Sequence, residues 1–367
     1  MRLLSQRYGV GREQDQLTVR EGRLSLVLVD SLTHIAIGAC AGEWMAGRQL
    51  GRRAMLWGAL AHSLPDVDFI AGLWNDPAED LLAHRGFTHS ILFAGIATYL
   101  LVQAHARLHP GVYPVKRKAY GFFGVLVFLH LFLDGFNVYG TGWFEPFSHL
   151  RVAFNWLFVA DPFFSVGPGI ALLLLIILKR QHPWRLWVSR LGLMSSILYL
   201  SYAGVNKFKI DAVVQREIRK RNWSDSAYIT TPTPLNTWLW YAVVNRSDGA
   251  YLAHRSLFDR CDTMSFYFVP RRDSLLYPLF GHEPLQHLIR FSQGYYAVER
   301  GKEGLIFSDL RFGQRQGWND PEAPFVFYYY LTHPADNSLL IQRGRFRGWD
   351  LSAFQKLWAR IGGWGCP

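Results

Sequence analysis

The chain has 367 residues, room for roughly two or three domains, and is 50% apolar and 16% aromatic yet only 18% charged. That average joins unlike halves, because nearly all the long apolar runs lie before about residue 206 and the remainder is mixed, aromatic and Arg-rich. A net charge of +11 would suit a nucleic-acid partner, but basic residues gather between the apolar runs, at Arg48/Arg52/Arg53, Lys116/Arg117/Lys118 and Lys179/Arg180. That is the pattern of membrane orientation signals, so no nucleic-acid partner is expected.

Residues 1–28 hold five Arg and show no periodicity until Leu24. They read as an N-terminal extension of open status, with Val29 as an alternative starting point. Leu24 to Gly42 then reads as a first spanning helix that carries Asp30, Thr33 and His34. The second run, Ala54 to Leu73, breaks at Pro65, and Asp66 and Asp68 follow at once; such a helix stops inside or at the edge of a bilayer. Gly86 to Ala104 is the third run, opened by His84-Arg85-Gly86-Phe87-Thr88-His89-Ser90. Ala119 to Phe144 is the fourth, with His130 and Asp134; Phe163 to Leu178 is the fifth. Leu191 to Asn206, preceded by Trp184 to Arg190, is the sixth. A span needs about 20 apolar residues, so about six transmembrane or half-membrane helices are expected over residues 29–206.

The texture changes after Lys207. A basic helical stretch, Asp211 to Arg221, leads to a breaker, Thr231-Pro232-Thr233-Pro234. Strand-like runs follow at Trp238–Val244, Gly249–His254, Ser265–Val269, Gly294–Val298, Phe325–Leu331 and Leu339–Gln342, with a hairpin signal at Asp248-Gly249. Leu351 to Ile361 reads as a closing helix. Residues 207–367 are thus expected to form a smaller, mainly antiparallel β domain exposed to water. Of the cysteines, Cys40 lies in an apolar run, which leaves at most Cys261 and Cys366 for a bridge.

Ionisable side chains inside apolar runs point to function, and here they fall in four clusters. His130 and Asp134 are one helical turn apart on one face, as are Asp30 and His34. A lone His could simply bond a neighbour, and an Asp after a proline could simply cap a turn. Two acids in apolar surroundings, with imidazoles in the other clusters, favour a metal instead. The candidate ligands are His34, Asp66, Asp68, His84, His89, His130 and Asp134. Mixed His and carboxylate donors suit a divalent metal, zinc by preference and manganese as the alternative. Arg85, among them, would clamp an oxygen anion, its plainer role being a salt bridge to Asp76, Glu79 or Asp80. Asp68 would handle the proton of an attacking water. His62 and Asp161 stand behind these candidates, Asp161 as a cap or supporting group.

These residues resemble a known family. Asp30-xx-Thr33-His34, Leu64-Pro65-Asp66-Val67-Asp68, His84-Arg85-Gly86-Phe87-Thr88-His89-Ser90 and His130-xxx-Asp134-xxxx-Tyr139-Gly140 are similar to motifs of the bacterial membrane-bound, predicted metal-dependent hydrolases of the DUF457 (YbcI/YdjM-like) group. The resemblance covers about residues 30–205 and runs on more weakly through Asp161-Pro162 and the Thr231–Pro234 stretch. It implies an inner-membrane protein with a hydrolase site distantly similar to zinc-dependent phospholipases C. Members commonly begin near the Asp-xx-Thr-His motif, so residues 1–28 depart from the pattern.

The expected function is hydrolysis of a phosphoester in a lipid or lipid-linked, amphipathic substrate reached from the membrane. Two other readings remain: a transporter or proton/metal-ion pathway using the same His and Asp residues, and a metal-stabilised scaffold without catalysis. An Arg amid the ligands repels a cation path, which favours the enzyme. The bias of Lys and Arg places the basic loops in the cytoplasm and the metal cluster and β domain on the other side. Oligomeric state and substrate identity are not legible.

Overall fold

The computed structural model describes residues 15–73, 77–110, 116–301, 304–331 and 349–363. Helix α1 (Asp15–Leu50) and α2 (Arg52–Ser63) form an antiparallel hairpin that turns at Gly51, whose φ of 61° favours glycine. A 3-10 segment, Leu64–Leu73, carries the Pro65 break and leads to α3 (Pro77–Ala83). A second short 3-10 turn, Phe87–His89, precedes α4 (Ile91–Leu108), whose first turn is capped by the Ser90 hydroxyl accepting from the Phe93 amide. Helix α5 (Lys116–Asp134) ends ten residues before the expected Phe144. Gly135 follows at once, and the chain returns as an irregular loop held by a Thr141–Val152 bridge. Asp161 caps α6 (Pro162–Ile177) through the amides of Phe163 and Phe164.

Helix α7 (Arg185–Lys220) is continuous over 36 residues, about 54 Å at 1.5 Å per residue. It merges the expected sixth helix with the expected basic stretch, and the change of texture at Lys207 falls inside it. The reason is packing: Ile210, Val214 and Ile218, spaced by one turn, are buried against Trp240, Ala242 and Val244 of the β region. The helix therefore leaves the helical body and docks on the sheet without a break.

The C-terminal region is antiparallel. One sheet has the order β1-β2-β3-β4, comprising β1 (Ala227–Pro232), β2 (Leu239–Asn245), β3 (Gly249–Ser256) and β4 (Tyr267–Pro270). Asp248-Gly249 makes the β2–β3 turn, with Asn245 paired to Ala250. After α8 (Glu283–Phe291) come β5 (Tyr296–Gly301), β6 (Gly304–Asp309) and β7 (Tyr328–Tyr330) as a second sheet in that order, and α9 (Leu351–Ile361) closes the described chain. Strand β2 is buried on both faces: Trp240, Ala242 and Val244 meet α7, while Tyr241 and Val243 meet Ala297 and Leu310. Hence it reads as an unbroken apolar run. The Thr231-Pro232 pair, expected to break structure, ends β1; that strand is an edge, where proline is tolerated. The expected strand at Leu339–Gln342 lies outside the described residues.

The helical part is apolar outside and polar inside. Leu56, Ile96, Leu100, Phe128, Ile170, Leu173, Leu191 and Leu198 all face outward, while His34, His62, Arg85, His89, His130 and Asp134 are buried. Such a surface belongs against lipid rather than water. Among the described residues, α4 is the one helix long and apolar enough to cross a bilayer by length and composition alone, and α6 is a shorter apolar helix. The basic residues gather at the opposite end from these buried groups. Arg52 donates to the carbonyls of Ile176 and Leu178 at the end of α6. Nearby, Arg185 forms a two-pronged pair with Glu43 at 2.8 and 3.0 Å and bonds the Leu175 and Leu178 carbonyls.

Helices α1 and α2 meet backbone to backbone. A Cβ on Gly58 would lie 2.2 Å from the Gly38 carbonyl oxygen and 2.8 Å from Gly42 Cα, closer than any side chain tolerates. His34 lies one turn before Gly38 and His62 one turn after Gly58, so this contact brings the two imidazoles together. Gly58→Val is expected to force the hairpin apart and to destabilise the protein by at least about 1–3 kcal/mol. A thermal scan in detergent checks this; an unchanged melting temperature would show that the close approach is dispensable.

The β region carries its own pH dependence. His254 on β3 packs against Tyr241 at 5.1 Å, and burial together with the Arg360 guanidinium pushes its pKa down to about 3. In the unfolded chain the imidazole binds a proton near pH 6.5. Its contribution to stability is therefore complete above about pH 6.5 and is lost as pH falls from there towards 3. Melting temperatures measured across this range should drop more steeply for the native protein than for His254→Gln; equal slopes would contradict the assignment.

Candidate metal centre

The ends of four elements converge inside the helical body: the middle of α1, the Pro65 turn after α2, the turn before α4 and the last turn of α5. Pro65 directs the chain so that Asp66 faces inward. The 3-10 turn buries His89, and the end of α5 supplies His130 and Asp134 one turn apart.

Four donors face one point. The Nε2 atoms of His89 and His130 are 3.1 Å apart. Asp66 Oδ1 is 3.7 Å from the first and 3.4 Å from the second. Asp134 Oδ2 is 3.3 Å from His89 Nε2 and 3.8 Å from His130 Nε2. Donors about 2.0–2.1 Å from a tetrahedral zinc are separated by about 3.3–3.4 Å. The measured separations scatter around that edge length. Protons alone account poorly for this arrangement, since a single N–H cannot serve two imidazole nitrogens and two carboxylates. No hydrogen bond reaches the buried Asp134 Oδ2 in good geometry. The donor set fits a divalent cation, and these buried His and Asp groups can hold one.

The other oxygen of Asp134 faces a second group. Asp134 Oδ1 is 3.1 Å from His34 Nε2, which is 3.7 Å from Asp30 Oδ1. On its far side, His34 Nδ1 lies 3.3 Å from His62 Nε2, and His62 Nδ1 lies 2.8 Å from the Leu126 carbonyl. The carbonyl can only accept, so His62 Nδ1 carries a proton and a neutral His62 leaves Nε2 to accept from His34. That chain fixes the His34 ring with its Nε2 turned towards the two carboxylates. His62 thereby has a defined place, and Asp30, quoted in the sequence motif but not counted as a ligand, faces the centre directly.

Asp68 and His84 stand apart from the four-donor set. Asp68 Oδ2 accepts from the Arg85 amide at 2.7 Å and lies 3.3 Å from His84 Nδ1 and 3.6 Å from His89 Nδ1. The back of the His89 ring is held by the Thr88 hydroxyl, 3.0 Å from Nδ1, with the Asp68 charge just behind it, an arrangement that orients a metal-ligating imidazole. The His84 side chain is 37% exposed, so Asp68 links a buried imidazole to one that reaches water.

Arg85 is buried at 1% exposure, so a surface salt bridge is excluded; Asp76 lies outside the described residues. Its Nη2 donates to Asp30 Oδ2 at 2.6 Å, and its Nε approaches Asp134 Oδ2 at 2.9 Å. The backbone at Arg85 has a φ of 56°, a strained value for a non-glycine residue. The Asp68 carboxylate and the Gly142 amide, which donates to the Arg85 carbonyl at 2.8 Å, hold it there. Nε and Nη1 are both buried without a well-formed hydrogen bond; Nε has the Asp134 carboxylate beside it, while Nη1 has no ion-pair partner among the described residues.

A cavity opens on the Asp30, His34 and Asp134 side, lined by Leu133, Leu157, Phe158 and Phe164 together with Thr33, Asn137 and Ser165. Asp161 also lines it and accepts from the Tyr199 hydroxyl at 2.9 Å, so it both caps α6 and borders the site.

Comparison with known proteins agrees with the motifs. Residues 29–210 match the model of the YdjM inner membrane protein family. The chain is similar to the inner membrane protein YbcI of Escherichia coli, 28% identical over 128 residues, which are 34% of this chain and 72% of YbcI. It is also similar to the uncharacterized protein YfhP of Bacillus subtilis, 29% identical over 357 residues, covering 88% of this chain and 96% of YfhP. No solved structure matches. With the motif residues gathered at one centre and the match covering most of the helical body, the chain belongs, through residues 29–210, to the YdjM family of inner membrane proteins.

Proposed function

We propose that the protein is a multi-pass inner-membrane hydrolase that cleaves a phosphoester in a lipid or lipid-linked substrate. The observation that carries this reading is the four-donor set of Asp66, His89, His130 and Asp134 with the Arg85 guanidinium beside it. A divalent cation held there, zinc by preference, supplies Lewis acidity to the reaction. Arg85 is the anion-binding group: two of its nitrogens are fixed by Asp30 and Asp134, and Nη1 remains to bond a phosphoryl oxygen as charge builds on it. Asp68, placed between His89 and His84, passes protons towards His84 and solvent. The adjoining cavity sets polar groups such as Asn137 and Asp161 beside apolar ones such as Leu157 and Phe164, a mixture that suits an amphipathic substrate.

About six helices would cross or enter the membrane, with the basic end in the cytoplasm and the centre facing away from it. Gathering of Arg52 and Arg180 at one end, opposite the centre, supports that orientation. The test is release of phosphate or headgroup from mixed phospholipids and isoprenoid phosphates by the purified protein. Chelation should abolish turnover and added zinc or manganese restore it; turnover indifferent to chelator would refute the proposal.

A further inference from the structure

A second, partly open cavity lies where the helical body meets the two sheets. Val138 and Phe158 line it from the helical side, and Tyr241, Arg311, Gln314 and Trp318 from the β side. Phe158 also lines the cavity beside the metal centre, so the two spaces share a wall. Arg311 is fully buried; its Nε and Nη2 are fixed by Asp309 at 3.0 and 2.7 Å, and its guanidinium lies 4.9 Å over the Phe291 ring. Arg311 Nη1, the Tyr241 hydroxyl and the Trp318 indole nitrogen are all buried without a hydrogen bond. Leaving three such groups unpaired destabilises the site, a penalty that a ligand would remove.

All three groups offer a proton, so the missing partner is an acceptor. The surroundings are also cationic. Arg151 and Arg311 lie over the same Phe291 ring, at 5.5 and 4.9 Å. A single anionic partner, Asp309, serves Arg311. We infer that this cavity binds an anionic phosphate-type group through Arg311, Tyr241 and Trp318, as a site distinct from the metal centre. The inference stands whether or not the metal centre is catalytic. A lipid headgroup and a free phosphate share this chemistry.

The experiment uses the full chain in detergent with chelator present throughout, so that no metal contributes. Inorganic phosphate and dihexanoyl phosphatidic acid are titrated separately by calorimetry. Saturable binding of at least one is expected. Binding of both means that the phosphate group suffices; binding of the lipid alone means that the headgroup is read with its glycerol. Tyr241→Phe should weaken binding roughly ten- to hundredfold. Its melting temperature should be unchanged or raised, because the hydroxyl has no partner to lose. Arg311→Gln should weaken binding further, and Tyr241→Phe keeps the test valid if that variant fails to fold. No saturation with either probe, or unchanged affinity in Tyr241→Phe, would overturn the inference.

Discussion

Asp134→Asn is expected to abolish turnover, by roughly a thousandfold or more if metal assistance is worth several kcal/mol. Asp134 faces His34 with one oxygen and His89, His130 and Arg85 with the other. Asparagine keeps the shape but removes the charge, and its amide presents hydrogens where a cation needs a lone pair. The same change leaves buried Arg85 with one carboxylate partner instead of two. Metal content and turnover should therefore fall together. Turnover within a few fold of the native protein would place the chemistry elsewhere.

Arg85→Lys should separate binding of the metal from use of it. Lysine keeps the charge that offsets Asp30 and Asp134 but loses the planar fork that lets one nitrogen remain for substrate while two are fixed. Metal content is expected to stay near the native level while kcat falls about a hundredfold or more, in line with loss of one preorganised donor. Loss of metal and activity in equal measure would make Arg85 a support for the centre and not a substrate group.

The site was legible in sequence wherever helical spacing defined it. The one-turn spacing of His130 and Asp134 put both on one face, and Pro65 announced the turn that carries Asp66 and Asp68. Spacing could not say which oxygen or nitrogen points inward. Asp68 and His84 were expected as ligands alongside Asp66 and His89, yet their orientation follows from the Arg85 amide, a contact that no periodicity encodes. Nor could it show that Asp134 divides its oxygens between two sets of neighbours.

The fold followed the same rule. Leu351–Ile361 and the Asp248-Gly249 turn are local signals and are found where expected. The unbroken course of α7 depends on a sheet more than twenty residues further on, whose burial of Ile210, Val214 and Ile218 overrides the basic composition of that stretch. Strand β6 was missed for a comparable reason: it pairs with β5 and β7 on both sides, and its short sequence lacks alternation.

Elemental analysis of the detergent-purified full chain, native beside Asp134→Asn, tests the metal centre most directly. The native protein should carry at least about one equivalent of a divalent transition metal, as four-donor His and carboxylate sites do, and the variant little or none. A native protein that stays metal-free after incubation with zinc and with manganese, or equal metal in both proteins, would contradict the centre assigned to Asp66, His89, His130 and Asp134.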